Sequence, residues 1–200
     1  MRIAKIARQV GGLAALGAAL LLAGCAQSPQ YLSVEPTVSS NLPQAGSGQA
    51  VTLTTADGRE SDVLGTRSGK QMSTDTISVP AHTLMPKLQQ QAEAALRQMG
   101  FEPTSQEAEG RPSLTLTLTQ LSYQKGDAQA MLDKAMLVAK LQAVVENQGS
   151  VYTGIYTAKR EQSYALTPDY EKNNQMVTEL LSNALDRTFG DPQIGQLLAR

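Results

Sequence analysis

Few side chains in this 200-residue sequence are of a type and spacing that does chemistry. They are one cysteine (Cys25), one histidine (His82), the close glutamates Glu102, Glu107 and Glu109, the pair Asp57 and Arg59 flanking Gly58, and the tyrosines Tyr152 and Tyr156 flanking Gly154. Nucleophilic hydrolysis needs a base beside the nucleophile, most often histidine. His82 stands alone in VPAHT at the entry to a predicted helix, and no Gly-x-Ser-x-Gly turn occurs; it reads as a surface or capping residue. A zinc site needs three or four nitrogen, sulfur or carboxylate ligands, and one cysteine plus one histidine do not make it. Two carboxylates flanking a glycosidic bond would serve sugar cleavage, but Glu102, Glu107 and Glu109 fall in FEPTSQEAEGRP, a polar stretch whose acids read as solvated. Gly46-Ser47-Gly48 has no strand before it and no helix after it, so it is not a phosphate loop. No catalytic residue, metal or cofactor is assigned, and the chain reads as a non-enzyme.

Two pairs admit both a functional and a structural reading. Asp57 and Arg59 sit where a predicted strand ends beside glycine. There an aspartate caps its own turn while the arginine pairs with it or with another acid, and this structural account is favoured over a site. Tyr152 and Tyr156 lie on the same side of one strand, at i and i+4. The chain has no tryptophan and two phenylalanines, so they are a rare aromatic concentration. They are the candidate ligand- or partner-binding pair, with Gly154 leaving a gap for a partner backbone or a sugar ring. The competing reading packs them under helices; which sheet face is core is left open, since Val151, Thr153, Ile155 and Thr157 on the other side are β-branched and equally suited to it.

Cys25 belongs to a different chemistry. Arg2, Lys5 and Arg8 precede the apolar run LAALGAALLLA, Leu13 to Ala23, with no acid among them. This is the layout of a secretory signal. At 1.5 Å per residue the run covers roughly 17 Å, short of the ~30 Å hydrocarbon layer. Leu22-Ala23-Gly24-Cys25 resembles the bacterial lipobox, which implies that Cys25 is the lipidation site and that residues 1–24 are removed. A single myristoyl chain binds membranes marginally, whereas two or more anchor a protein stably. No aspartate follows the cysteine; the neighbours are Ala26 and Gln27. Family knowledge of lipobox sorting then implies the outer membrane, with the domain on its periplasmic face.

Without residues 1–24 the chain has 14 basic and 18 acidic residues, a net charge of −4 with His82 neutral, which argues against nucleic acid or anionic lipid headgroups as partners. Residues 25–49 read as a lipidated N-terminus and tether: between Ala26 and Gln49 there is no Lys or Arg, one acid and three prolines. As free coil those 24 residues would reach about 27 Å. Within them YLSVEPTV alternates, so residues 31–38 either form an edge strand, where Pro36 is tolerated, or remain tether. A chain beginning near Gln49 is expected to carry the whole fold.

Residues 50–200 read as a single α+β domain. AVTLTTADGRESDVLGTR predicts strand, turn, strand. Leu84, Leu88, Ala92, Ala95, Leu96 and Met99 recur at helical spacing over 83–99, closed by Gly100. SLTLTLTQLSYQ alternates with a skip near Thr119-Gln120 that predicts a bulge. Two long strands should turn at Asn147–Ser150, and Thr167-Pro168-Asp169 should start a helix, with Thr167 as cap and Pro168 at its first position. The expected architecture is an antiparallel or mixed sheet of four to six strands with two amphipathic helices on one face.

In that order LSVEPTV, VTLTTADGR, VLGTRSG and the helix ending LRQMGF resemble the YajG-type lipoproteins of Gram-negative bacteria. The resemblance covers nearly the whole chain and implies an outer-membrane lipoprotein with a small α+β domain and no established activity. The expectation is therefore a non-enzymatic, membrane-anchored module that binds or scaffolds an envelope protein partner. The alternative is a module that takes a cell-wall glycan fragment or an amphiphile in a cleft between sheet and helices. Oligomeric state and partner identity are left open by the sequence.

Overall fold

A computed structural model describes residues 28–70, 72–129, 132–165 and 167–200; Cys25 and the rest of the leader lie outside the described residues. The fold is α+β. Strands β2 (Ala50–Asp57), β5 (Glu102–Thr104), β6 (Ser113–Gln129), β7 (Leu132–Asn147) and β8 (Ser150–Tyr164) form a five-stranded mixed sheet in the order β5-β2-β6-β7-β8. The short strands β1 (Gln30–Tyr31), β4 (Thr76–Ser78) and β3 (Val63–Thr66) form a second sheet in the order β1-β4-β3. Helices α1 (Ala81–Gln98), α2 (Tyr170–Phe189) and α3 (Pro192–Leu198) complete the described elements.

The long meander follows from its alternation. Leu114, Leu116 and Leu118 of β6 and Leu137, Ala139, Leu141, Ala143 and Val145 of β7 are all buried on one face. The register of β6 on β7 shifts between Leu118 and Gln120, the expected bulge. It returns Leu121 and Tyr123 to the buried face although the spacing has slipped by one. The β7–β8 turn uses Gln148 and Gly149, both with positive φ (50° and 77°), as a two-residue hairpin turn requires. Helix α1 contacts β2 and β5, and α2 and α3 contact β7 and β8, covering that same face. Each leucine so buried contributes about 1.5–3 kcal/mol.

Four expectations about the fold are corrected. The strands at 50–57 and 63–66 do not pair with each other: β2 runs parallel to β6 and β5, and β3 pairs with β4. The reason lies at the turn and in a contact twenty residues further on. The buried Arg59 guanidinium holds Asp57 (Nη2 to Oδ2 2.7 Å) and the Val79 carbonyl (3.2 Å) at once, turning the chain off the main sheet at Gly58. Part of FEPTSQEAEGRP, read as loop, supplies β5. The cap of α2 is Asp169, whose Oδ1 accepts from Lys172 N at 2.9 Å; Thr167 and Pro168 precede it, because a carboxylate at that position is the stronger acceptor facing the helix's positive end.

The tether is the largest correction. From Ser28 onward it is a packed strap in the seam between α1 and α2. Leu32, Val34 and Pro36 are buried while Ser33, Glu35 and Thr37 face outward, so the alternation in YLSVEPTV is real, although only Gln30–Tyr31 pairs as strand. The outward N–H groups find partners on α2: Glu35 N donates to Thr178 Oγ1 (3.2 Å), Thr37 N to Ser182 Oγ (2.9 Å) and Ser39 N to Asp186 Oδ1 (2.6 Å). Two residues of extended chain advance about 6.7 Å and four residues of helix 6 Å, so every second strap residue meets every fourth helix residue. Across the seam, Lys87 Nζ of α1 binds the Val34 carbonyl (2.9 Å) and Glu35 Oε1 (2.6 Å). The glycine-rich run closes the strap: Gly46 N donates to Met99 O (2.8 Å) and Gly48 N to Gly100 O (2.7 Å), and a Cβ on Gly46 would strike the Gly100 backbone.

Candidate functional site

Tyr152 and Tyr156 are on the helix-covered side of β8. In the β7–β8 register they stand opposite Val145 and Leu141, with Gly154 opposite Ala143, all on the buried face. Both hydroxyls donate to one oxygen, Asp191 Oδ2, at 2.7 and 2.6 Å. The other oxygen, Oδ1, accepts from Gln193 N at 2.9 Å and caps α3. A Cβ on Gly154 would fall onto the Tyr156 ring and hydroxyl, so the gap expected for a ligand is filled by the strand's own tyrosine.

The electrostatics of this cluster are those of a clamp. Burial works to raise the Asp191 pKa, but the bonds from Tyr156, Tyr152 and the Gln193 amide outweigh it and hold the carboxyl below its ordinary range. Burial and the bond to Asp191 push the Tyr156 hydroxyl above its ordinary value. Asp191 is an ionised acceptor with its partners in place and the tyrosines are neutral donors, so neither is poised to move a proton at neutral pH. The three side chains pin β8 to the α2–α3 corner. Reading the tyrosines as an outward-facing binding pair is corrected.

The other candidates separate as well. Asp57 receives the Arg59 side chain through Nε (2.9 Å) and Nη2 (2.7 Å) and its backbone N–H (3.0 Å). The guanidinium holds the Asp57 carboxyl below the usual range, against a smaller opposing effect of burial. Arg59 also reaches Asp62 Oδ1 (3.3 Å), which accepts from Ala81 N (3.0 Å) at the start of α1; the group is a structural joint. His82 is exposed on the first turn of α1, and Glu102, Glu107 and Glu109 are exposed. Among the described residues no three His, Cys, Asp or Glu side chains gather as metal ligands.

What the fold leaves open is the other face of the sheet. Val151 (63% exposed) and Ile155 (67%) of β8 stand there beside Thr153, next to Val144 of β7. No described helix covers this face, and β8 is the terminal strand of its sheet, so its outer edge is unpaired by any described strand. Concave features are open and mixed in character: about 420 Å³ beside Val63, Thr66, Tyr123 and Lys125, and about 260 Å³ beside Tyr152 and Arg200. The space between sheet and helices is filled by the leucines, alanines and valines of the core. In sequence Val151 and Ile155 suit either face because both are β-branched; the signal that separates the faces is the small size of the buried Ala139, Ala143 and Ala158, which leaves room for helices on the opposite side.

A family model described as "uncharacterized lipoprotein" matches residues 36–199. The chain belongs to that family. The match spans the strap from Pro36, both sheets apart from β1, and all three helices. Among solved structures the lipoprotein is similar to a Xanthomonas campestris protein (16% identity, 81% of this chain and 95% of that one, TM-score 0.47). It is also similar to a minor lipoprotein of Acinetobacter baumannii (16%, 75% and 90%, 0.41) and to a PelC dodecamer of Paraburkholderia phytofirmans (15%, 77% and 96%, 0.37). No curated protein matches.

Proposed function

We propose that this family member is an outer-membrane lipoprotein, acylated at Cys25, whose domain faces the periplasm and acts without catalysis as a binding or scaffolding module for an envelope protein. The observation that carries the reading is the face of β7 and β8 that no described helix covers, with exposed Val151 and Ile155 beside a strand edge that no described strand pairs. An unpaired edge is a template for a partner strand, and apolar side chains beside it would add burial to the backbone pairing. The glycan- or amphiphile-binding alternative needs a cleft between sheet and helices, and core side chains occupy that space. Among the described residues no helix is long and apolar enough to cross a membrane, and acyl chains on Cys25 would supply the attachment.

The test places a photo-crosslinking amino acid at Ile155 in cells making the full chain, with Gln90 on the exposed side of α1 as the comparison position. A discrete protein adduct at Ile155 and none at Gln90 is expected. Equal labelling of both, or a lipid or glycan adduct at Ile155 in place of protein, would overturn the reading.

A further inference from the structure

The strap fixes more than the helix seam. If the described chain began with a free tether of 24 residues, the domain would wander about 27 Å from its anchor. Instead the body begins at Ser28, whose carbonyl accepts from Arg67 Nη2 at 2.9 Å, and at Gln30–Tyr31, which pair with Ile77–Ser78 of β4. Gln30 is held further by its Oε1, which accepts from the buried Asn173 of α2 at 2.7 Å. Three residues of chain span at most about 11 Å in any conformation, so Ser28 lies within about 11 Å of Cys25. The headgroup layer on each side of a bilayer is roughly 5–8 Å deep. Acyl chains on Cys25 therefore bring this end of the domain against the membrane surface.

The side chains displayed at this end suit that position. Tyr31 in β1 is 66% exposed and Tyr170, on the first turn of α2, 37%; they are the two exposed aromatic residues among those described. Tyr170 belongs to the same end because its hydroxyl accepts from Ser33 N at 3.2 Å. Met72 is 98% exposed on the loop between β3 and β4. That loop is braced outward by Asp75, which accepts from Ser68 N (2.8 Å) and Ser68 Oγ (3.0 Å), and Arg67 ties it to Ser28. Amphipathic tyrosine rings settle at the headgroup level of a bilayer, and a bare methionine gains by leaving water. Lys70 and Lys172 are exposed on the same loop and helix turn.

We propose that the end of the molecule formed by β1, the β3–β4 loop and the first turn of α2 rests on the leaflet that holds the Cys25 acyl chains, with Tyr31, Tyr170 and Met72 at the headgroup boundary. This deepens the lipoprotein reading and rests on acylation at Cys25. It fixes the domain's orientation: β8 runs from this end, where Tyr164 pairs with Asp133 and Asp133 binds Lys125, to Ser150–Val151. The thirteen residues from Tyr164 back to Val151 put Val151 about 40 Å further along the strand, presented to the periplasm.

The chain contains no tryptophan, so a single substitution makes a site-specific reporter. Acylated full-length protein carrying Met72→Trp, and a second carrying Val151→Trp, are reconstituted into phosphatidylcholine vesicles containing brominated phosphatidylcholine. Both replaced residues are exposed, so both variants should fold. Quenching of Met72→Trp several-fold greater than that of Val151→Trp, with a blue-shifted emission, is the expected result. Equal quenching, with both proteins floating with the vesicles, would overturn the orientation and leave the anchor standing. Protein that does not float would remove the anchor, and the contact with it.

Discussion

The seam between α1 and α2 is closed by residues far away in sequence, and removing them should have a cost that the structure sizes. A chain beginning at Gln49 lacks Leu32 and Val34, each 2% exposed. Their burial contributes about 1.5–3 kcal/mol apiece, or about 3–6 kcal/mol together. The hydrogen bonds to Thr178, Ser182 and Asp186 add little net, because strap and helix groups both return to water when the strap is absent. In a domain of this length 1 kcal/mol moves Tm by roughly 2–4 °C, so a fall of roughly 10–20 °C is expected. Circular-dichroism melts of residues 26–200 and 49–200, compared in one buffer, measure it. A peptide of residues 29–48 added in excess should recover part of the loss, since binding to the native state alone stabilises it. Melting points within 2 °C of each other would show that the strap is the loose tether its composition predicts, and the seam argument would fail.

Other outcomes follow from the clamp and the joint. Gly154→Ala should displace the Tyr156 ring and cost about 1–3 kcal/mol, read as a lower Tm with the fold retained; a neutral result would mean that the ring is not held over Gly154. Replacing Tyr152 and Tyr156 together by serine should lower Tm markedly and leave the Ile155 crosslink of any folded fraction intact; loss of the crosslink at unchanged Tm would restore the tyrosines as a binding surface. Asp57 and Asp191 have carboxyls held below their unfolded values. Their stabilisation is fully present above the unfolded carboxylate pKa of about 4 and is lost as pH falls through the lower folded values. Tm should therefore drop steeply below pH 4, and Asp191→Asn should be less stable at pH 7 with a shallower acid slope; an unchanged slope would remove Asp191 from the account.

Local signals were legible where one element decided them. The leucine spacing of α1, the slipped alternation at Thr119-Gln120 and the turn at Gln148-Gly149 each depend on a few neighbouring residues, and each appears as expected. What pairs with what was less legible. β2 reads the same whether its neighbour is β3 by hairpin or β6 in parallel; the choice rests on Arg59 reaching Val79, twenty residues away. The strap shows the same limit from the other side. Its composition is that of a linker, yet Leu32, Val34 and Pro36 alternate against a seam made by helices 50 and 140 residues downstream. The tyrosine pair was visible as an aromatic concentration, but its partner, Asp191, lies 39 and 35 residues further along the chain.

The proposed anchor and the proposed membrane-resting end both depend on a lipid at Cys25. Intact mass of the protein extracted from the membrane fraction measures it directly. The predicted result is a mature chain whose first residue is Cys25, heavier than residues 25–200 by the mass of a diacylglycerol and an amide-linked acyl chain, with Cys25→Ala leaving uncleaved precursor that takes up no radiolabelled palmitate. A mature chain with a free Cys25 thiol, or membrane fractionation and labelling that persist in Cys25→Ala, would contradict it.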